Sequence, residues 1–332
     1  MGDDAKMRIL YYGGCWETNI GNAFLDYGSI NLLKECFPNE KVYFSSELPR
    51  WFYHVQGKPI EDTMNLAEIA DIDLIVVSGM ALHESFIRLE GPILEKLSQR
   101  GVKVLFNGCG GDRYDHNETT AFKRLLKRIN VIGLISRDKT AFDSYKSELD
   151  NTINGIDCAF FVPNYFIPMP LILKNYIIFS FDGMEEPPIK TENQKIIRLS
   201  HEPYRYFTYQ QRQGGLSLKV SKTAPRLSIE KEKSVDVLGN RPFVSNLPED
   251  YFNIYANTNA TYSNRIHSTI LSLAFNKQSR LFITNINTNR LKILERVDAK
   301  DVINKLMRLD AAKLGEKKEA HLIALKDIVR SS

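Results

Sequence analysis

Two cationic side chains one residue apart, Arg265 and His267, stand in residues 257–275, NTNATYSNRIHSTILSLAF, where a short β-type run turns into a helical one. Ala260, Thr261 and Tyr262 suit a buried strand, Ser263 and Asn264 are helix N-cap types, and Ile266, Ile270, Leu271, Leu273 and Ala274 make the following helix apolar nearly all round. The pattern predicts strand, tight turn, helix, with Arg265 and His267 in the first helical turn. That end of a helix exposes free N–H groups and the positive end of the macrodipole, which favours negative charge by about 0.3–1 kcal/mol. Cations placed against that preference imply an anion. Backbone donors, a guanidinium fork and an imidazole converging on one point suit a phosphate or carboxylate. The bland alternative is a surface ion pair for Arg265 and a satisfied core histidine at 267.

Other candidates lie on loops that follow apolar runs. Between RILYY (8–12) and a helical pattern from 23 to 37 stands GGCWETNIGN, with Asn19, Gly21 and Asn22, a strand–glycine loop–helix unit able to bring backbone amides close to a phosphate. It is not a P-loop and lacks the spacing of a dinucleotide fingerprint. His83 lies in SGMALHES, Asp112 and His116 in NGCGGDRYDH, and Arg137 in SRDKTAF. Read without a ligand, Asp138 is a helix-opening acid with Arg137 pairing locally, and the loop histidines are solvated. HEPYRYFTYQ (201–210) gathers Tyr204, Arg205 and Tyr206 after a strand, a composition found where sugars stack, although an edge hairpin would read the same.

These loops need elements to hold them. Apolar runs at 73–79, 102–107 and 132–136 alternate with helical stretches near 84–100 (interrupted at Gly91-Pro92), 118–129 and 138–149, which predicts a parallel sheet with ligands at the carboxyl ends of its strands. The proline-rich CAFFVPNYFIPMPLIL (158–173) marks a boundary near residue 170. Runs at 175–183, 195–200, 259–262 and 280–284 then begin a second α/β series, and 214–248 is without helical pattern. The expected fold is therefore α/β, two Rossmann-like domains with parallel sheets and an interdomain cleft. Residues 1–170 form the N-terminal domain with the cleft loops and acceptor side. Residues 171–332 form the C-terminal domain with the anion site, its last helices packing back on the first.

At 332 residues, 43% hydrophobic and 25% charged, the chain has the composition of a globular protein, with no apolar run near the ~18 residues of a membrane span. The start MGDDAK lacks the apolar core of a signal peptide, so the chain is expected in the cytoplasm, free or peripheral at the inner membrane face. Cys15, Cys36, Cys109 and Cys158 form no CxxC pair and read as free thiols. A net charge of +4 with Lys and Arg interspersed among acids argues against a nucleic-acid partner. No metal-ligand cluster stands out.

Taken together, the order of motifs resembles the polysaccharide pyruvyl transferase family. The resemblance spans most of the chain and rests on the GG-x-x-x-x-N-x-G loop (Gly13, Gly14, Asn19, Gly21), the Gly79 loop, Ser136-Arg137-Asp138, the IDCAFF segment around Asp157 and, most specifically, SNRIH at 263–267. It implies a GT-B-like arrangement, phosphoenolpyruvate as donor with no cofactor, and the hydroxyls of a saccharide, lipid-linked or polymeric, as acceptor. On that reading Arg265, with Ser263, Asn264, the helix amides and Arg137, holds the donor's anions, and His267 is a general acid or base or a phosphate ligand. Two departures stand out: Gly21-Asn22 replaces a Gly-Asp common in the family, and 183–248 is aberrant. The competing readings are a nucleotide-sugar glycosyltransferase, disfavoured by the absence of an acid from STILSLAF, and an inert saccharide-binding scaffold on the same fold.

Overall fold

The computed structural model describes residues 6–14, 16, 18–46, 64–191, 194–203, 241–283 and 289–332. The first half alternates β1 (Arg8–Gly13), α1 (Gly21–Cys36), β2 (Lys41–Ser46), β3 (Leu74–Gly79), α2 (Glu84–Gln99), β4 (Lys103–Cys109), α3 (His116–Leu126), β5 (Val131–Ser136), α4 (Lys139–Tyr145) and β6 (Thr152–Asn154). Its six strands are all parallel, in the order β2-β1-β3-β4-β5-β6. Helices cover both faces, so the inner strands are buried at nearly every position. Ile9, Tyr11, Leu74 and Val76 enter one apolar cluster, and Leu10, Tyr12, Ile75 and Val77 enter the other, as the two-residue period of a strand dictates. α2 runs unbroken through Pro92, unlike the interruption read from Gly91-Pro92. Its buried stripe of Phe86, Ile93, Leu94 and Leu97 holds the helix across the missing N–H.

A 3-10 turn at Cys158–Phe161 leads into the short α5 (Val162–Tyr165). The second half then gives β7 (Tyr176–Ser180), β8 (Lys195–Arg198), α6 (Pro248–Asn257), β9 (Ala260–Ser263), α7 (Ile266–Ala274), β10 (Gln278–Leu281), α8 (Arg290–Glu295) and α9 (Ala311–Arg330). Its four strands are also parallel, in the order β10-β9-β7-β8.

The two halves share one apolar core. Phe24 and Tyr27 of α1 meet Phe252 of α6 with ring centroids 5.4 and 5.0 Å apart, both edge to face. α9 crosses back to the first sheet. Ile328 lies against Gly133 of β5, and His321 Nε2 is 2.8 Å from Asn107 Oδ1 while its Nδ1 accepts the Ile156 N–H at 3.2 Å. Burial drives that imidazole down to about 4, so it docks the helix as a neutral ring. α1 is drawn equally close to the 3-10 turn: a Cβ at Gly28 would stand 2.0 Å from the Cys158 carbonyl oxygen. This close approach lets the N-terminus of α1 and the start of the turn meet beside α7.

Candidate active site

The carboxyl ends of β7 and β9 are stitched together side by side. Ser263 Oγ donates to the Ser180 carbonyl at 2.9 Å and accepts the Arg265 N–H at 2.8 Å. Asn264 Nδ2 donates to the Asp182 carbonyl at 2.9 Å, and its Oδ1 accepts the Asp182 N–H at 3.2 Å. The resemblance implied that Ser263 and Asn264 help hold the donor's anions; in this structure their side chains hold the loop that presents Arg265. The helix boundary also falls one step later than expected, with Arg265 as the N-cap, without a side-chain cap bond, and His267 in the first turn.

The anion that those cations implied is, in this chain, partly its own. Arg265 Nε donates to Asp182 Oδ2 at 3.2 Å and Nη2 pairs with Glu202 Oε1, the arginine being 21% exposed. Among the described residues Nη1 bonds nothing, which leaves one arm of the fork for a ligand oxygen. Asp182 is fixed in turn by Ser200 Oγ at 2.5 Å and the His201 N–H at 2.8 Å. Behind them His201 Nε2 meets Tyr255 Oη at 2.7 Å, and Tyr255 Oη meets Ser268 Oγ at 2.6 Å. Burial, helped by the Arg265 charge, holds His201 far below its ordinary range and therefore neutral.

His267 is packed between the halves. A Cβ at Gly21 would lie 2.7 Å from His267 Nδ1 and 2.9 Å from its Cβ, so only glycine lets the N-terminus of α1 come this close. On the other side Nε2 stands 3.8 Å from Asp157 Oδ2, too far for a hydrogen bond, and has no other bonding partner among the described residues. Asp157, 1% exposed, also receives Arg137 Nη1 at 3.0 Å and the Ala159 N–H at 2.9 Å. Burial alone would raise its carboxyl; the nearby His267 imidazole, the charge of Arg137 and the Ala159 amide outweigh it and hold the group at about 2. Asp157 is thus a fixed anion facing the Nε2 edge of the imidazole.

The remaining sequence candidates divide. Arg137, 4% exposed, is paired with Asp157, while Asp138 caps α4 through the Ala141 N–H at 2.9 Å. Asn19 Oδ1 accepts the Gly21 N–H at 3.0 Å, and Asn22 Nδ2 reaches the Gly14 carbonyl at 3.4 Å, so both shape the first loop. His83 caps α2 by accepting the Phe86 N–H, Asp112 is exposed on the loop before α3 and His116 is exposed at its first position; no hydrogen bond or ion pair joins these three to Arg265 or His267 among the described residues. Asn289 Nδ2 does bridge the halves there, donating to the Asp112 and Arg113 carbonyls at 2.8 and 2.9 Å. Tyr204, Arg205 and Tyr206 lie outside the described residues, as does Cys15.

Two site acids, Asp182 and Glu202, come into view only with the fold, each at or just after a strand-like run, and Asp157, named by its motif alone, gains its partners there. A fourth buried acid, Asp26, lies one helical turn beyond Asn22. Burial pushes it up to about 7 against hydrogen bonds from Trp16 Nε1 at 2.7 Å and Tyr11 Oη at 2.6 Å. Among the described residues no group of three His, Cys, Asp or Glu side chains is disposed to hold a metal ion, and no helix is long and apolar enough to cross a membrane.

Two parallel α/β sheets joined through one core, with strand carboxyl ends meeting around a guanidinium and an imidazole, define a GT-B type of enzyme architecture. Solved structures bear out the fold. The chain is similar to a Listeria monocytogenes protein assigned as a UDP-N-acetylglucosamine 2-epimerase (9% identity, 99% of this chain and 98% of that one, TM-score 0.55). It is similar to S. aureus MnaA solved with UDP (12%, 95% and 91%, TM-score 0.51) and to UDP-N-acetylglucosamine 2-epimerase from Rickettsia bellii (12%, 98% and 96%, TM-score 0.50). At such identities the likeness is one of fold alone. The model of the polysaccharide pyruvyl transferase family matches residues 19–285, and the chain belongs to that transferase family. No curated protein matches it.

Proposed function

We propose that the chain transfers a pyruvyl group from phosphoenolpyruvate to a pair of saccharide hydroxyls, forming a cyclic ketal in cell-surface polysaccharide synthesis. The observation that carries this reading is His267 held between the glycine notch at Gly21 and the buried Asp157, two residues after Arg265 at the same helix N-terminus. Two helix N-termini, those of α1 and α7, and two cations around one small space favour a dianion with a carboxylate. Arg265, through its uncommitted Nη1, and the α7 amides bind the donor's phosphate and stabilise charge as it leaves. A nucleotide-sugar reading finds less support, because α7 carries no acid to bind a ribose.

In the reaction, protonated His267 delivers a proton from Nδ1 to C3 of the enol ether, and positive charge develops at C2 beside its oxygen. A saccharide hydroxyl oxygen bonds to C2 and its proton passes to the now neutral imidazole. The bond from C2 to the phosphate oxygen breaks with its electron pair leaving on phosphate. The second hydroxyl then bonds to C2 and gives its proton to that phosphate. Donor plus diol become ketal plus inorganic phosphate, and His267 ends protonated as it began. Asp157 serves by lying fixed along the Nε2 edge of the ring, which leaves Nδ1 for the proton transfer.

Calorimetric titration with phosphoenolpyruvate and, separately, with UDP tests the reading. Saturable binding of phosphoenolpyruvate with UDP at least tenfold weaker supports it; the reverse order transfers the chain to nucleotide chemistry, and binding of neither favours an inert scaffold.

A further inference from the structure

A half-open cavity of about 330 Å³ lies away from His267, between the C-terminal end of α7 and the N-terminal half of α9. That volume is at the lower end of the range of about 300–1,000 Å³ found for small-molecule sites. Its apolar lining comes from Phe161, Leu273, Leu309, Leu314 and Leu322. Into it comes one lysine. Lys318 Nζ donates to Asn164 Oδ1 at 2.8 Å and stands 5.9 Å from the centre of the Phe161 ring. No carboxylate pairs with it among the described residues. Glu35 also lines the cavity, but its Oε2 takes the Tyr165 hydroxyl at 2.5 Å, and Glu319 faces solvent at the margin.

A second feature keeps this space open. Gly315 lies within the 20-residue helix α9, where glycine is the poorest helix former after proline, yet a Cβ there would meet nothing within 4 Å. The backbone does not require glycine at this position, and Gly315 itself lines the cavity.

We propose that this cavity is a second ligand site, for a small amphipathic carboxylate whose head pairs with the Lys318 ammonium and whose body lies on the apolar lining. The inference does not rest on the pyruvyl transfer reading. Burial holds the Lys318 ammonium down at about 8, as expected of a cation without a counter-ion, and a bound carboxylate would restore its proton affinity. The site reaches the catalytic one through α7, which carries Leu273 at one end and His267 at the other.

Octanoate is the probe, with octylammonium as the charge-reversed control, titrated calorimetrically into the full chain. Octanoate should bind, with octylammonium at least tenfold weaker. At pH 8, in two buffers of different ionisation enthalpy, octanoate binding should take up protons. Lys318→Met should weaken octanoate at least tenfold, and Gly315→Leu, which fills the cavity without touching the charge, should do the same while melting no lower than the parent chain. Absence of octanoate binding to the parent chain at millimolar concentration overturns the proposal, as does equal affinity for octylammonium or undiminished binding in Gly315→Leu.

Discussion

Asp157→Asn removes one charge from the most deeply buried ion pair among the described residues and keeps the shape. Its partner Arg137 is 4% exposed and would be left as a buried cation with only a neutral amide opposite. Loss of one member of such a pair costs about 3–5 kcal/mol. The carboxyl at about 2, against an ordinary 3.8, corresponds to roughly 2 kcal/mol at about 1.36 kcal/mol per unit, shared among His267, Arg137 and the Ala159 amide. Because the folded value is the lower, that stabilisation is complete above pH ~4 and is lost as pH falls through about 2, so at neutral pH the variant lacks all of it. Scanning calorimetry at pH 7 should show Tm lowered by roughly 5–15 °C. The double variant Asp157→Asn with Arg137→Met should recover most of the loss, since neither buried charge then remains. A single variant melting with the parent chain, or a double variant whose loss is the sum of the two singles, would refute the assignment of the pair as a coupled, desolvated unit.

Other expectations rest on the same geometry. Gly21→Ala forces a methyl to within 2.7 Å of His267 Nδ1, so either the ring or α1 moves; turnover should fall about 10²-fold with a stability loss of about 1–3 kcal/mol, read by product assay and melting. Arg265→Lys keeps a charge between Asp182 and Glu202 but loses the fork, so calorimetry should show phosphoenolpyruvate bound at least tenfold more weakly while Tm changes little. Arg265→Ala, by contrast, should lower Tm as well, because two buried carboxylates would then face each other. The neutral His321 stabilises the fold fully above its ordinary 6.5, and as pH falls from 6.5 to about 4 that contribution is lost, about 3 kcal/mol in all. The stability advantage of the parent chain over His321→Gln should therefore shrink across that window and not above it, as urea titrations at several pH values would show.

The fold was legible where burial writes a pattern. β1, β3, β4, β5, β7 and β9 are covered on both faces and read as apolar runs. β2 is a mostly exposed edge strand, KVYFSS, and β6 has three residues, so neither leaves such a run. α6 escaped for another reason: its buried aromatic residues Tyr251, Phe252 and Tyr255 serve the contact with α1, a demand of tertiary packing. At the site, Arg265 and His267 were legible because cations at a helix start contradict the local dipole. Their carboxylate partners were not, since Asp182, Glu202 and Asp157 stand 63 to 110 residues away in sequence, and register alone brings them together. The N-cap reading of Ser263 and Asn264 missed for a related reason: cap-type residues serve equally well to join two parallel strand ends, and Arg265 takes the N-cap.

The most direct measurement is acceptor-dependent release of inorganic phosphate from phosphoenolpyruvate across a panel of saccharides, with mass spectrometry of the product, in the parent chain and in His267→Gln. Glutamine keeps bulk and one N–H donor, so loss of a transition-state proton donor should lower kcat and kcat/KM together by about 10²–10⁴-fold, with donor affinity kept. The account predicts phosphate release matched by a pyruvyl ketal in the parent chain and that parallel fall in the variant. No release with any saccharide, or His267→Gln retaining the parent kcat at saturating phosphoenolpyruvate, would contradict it.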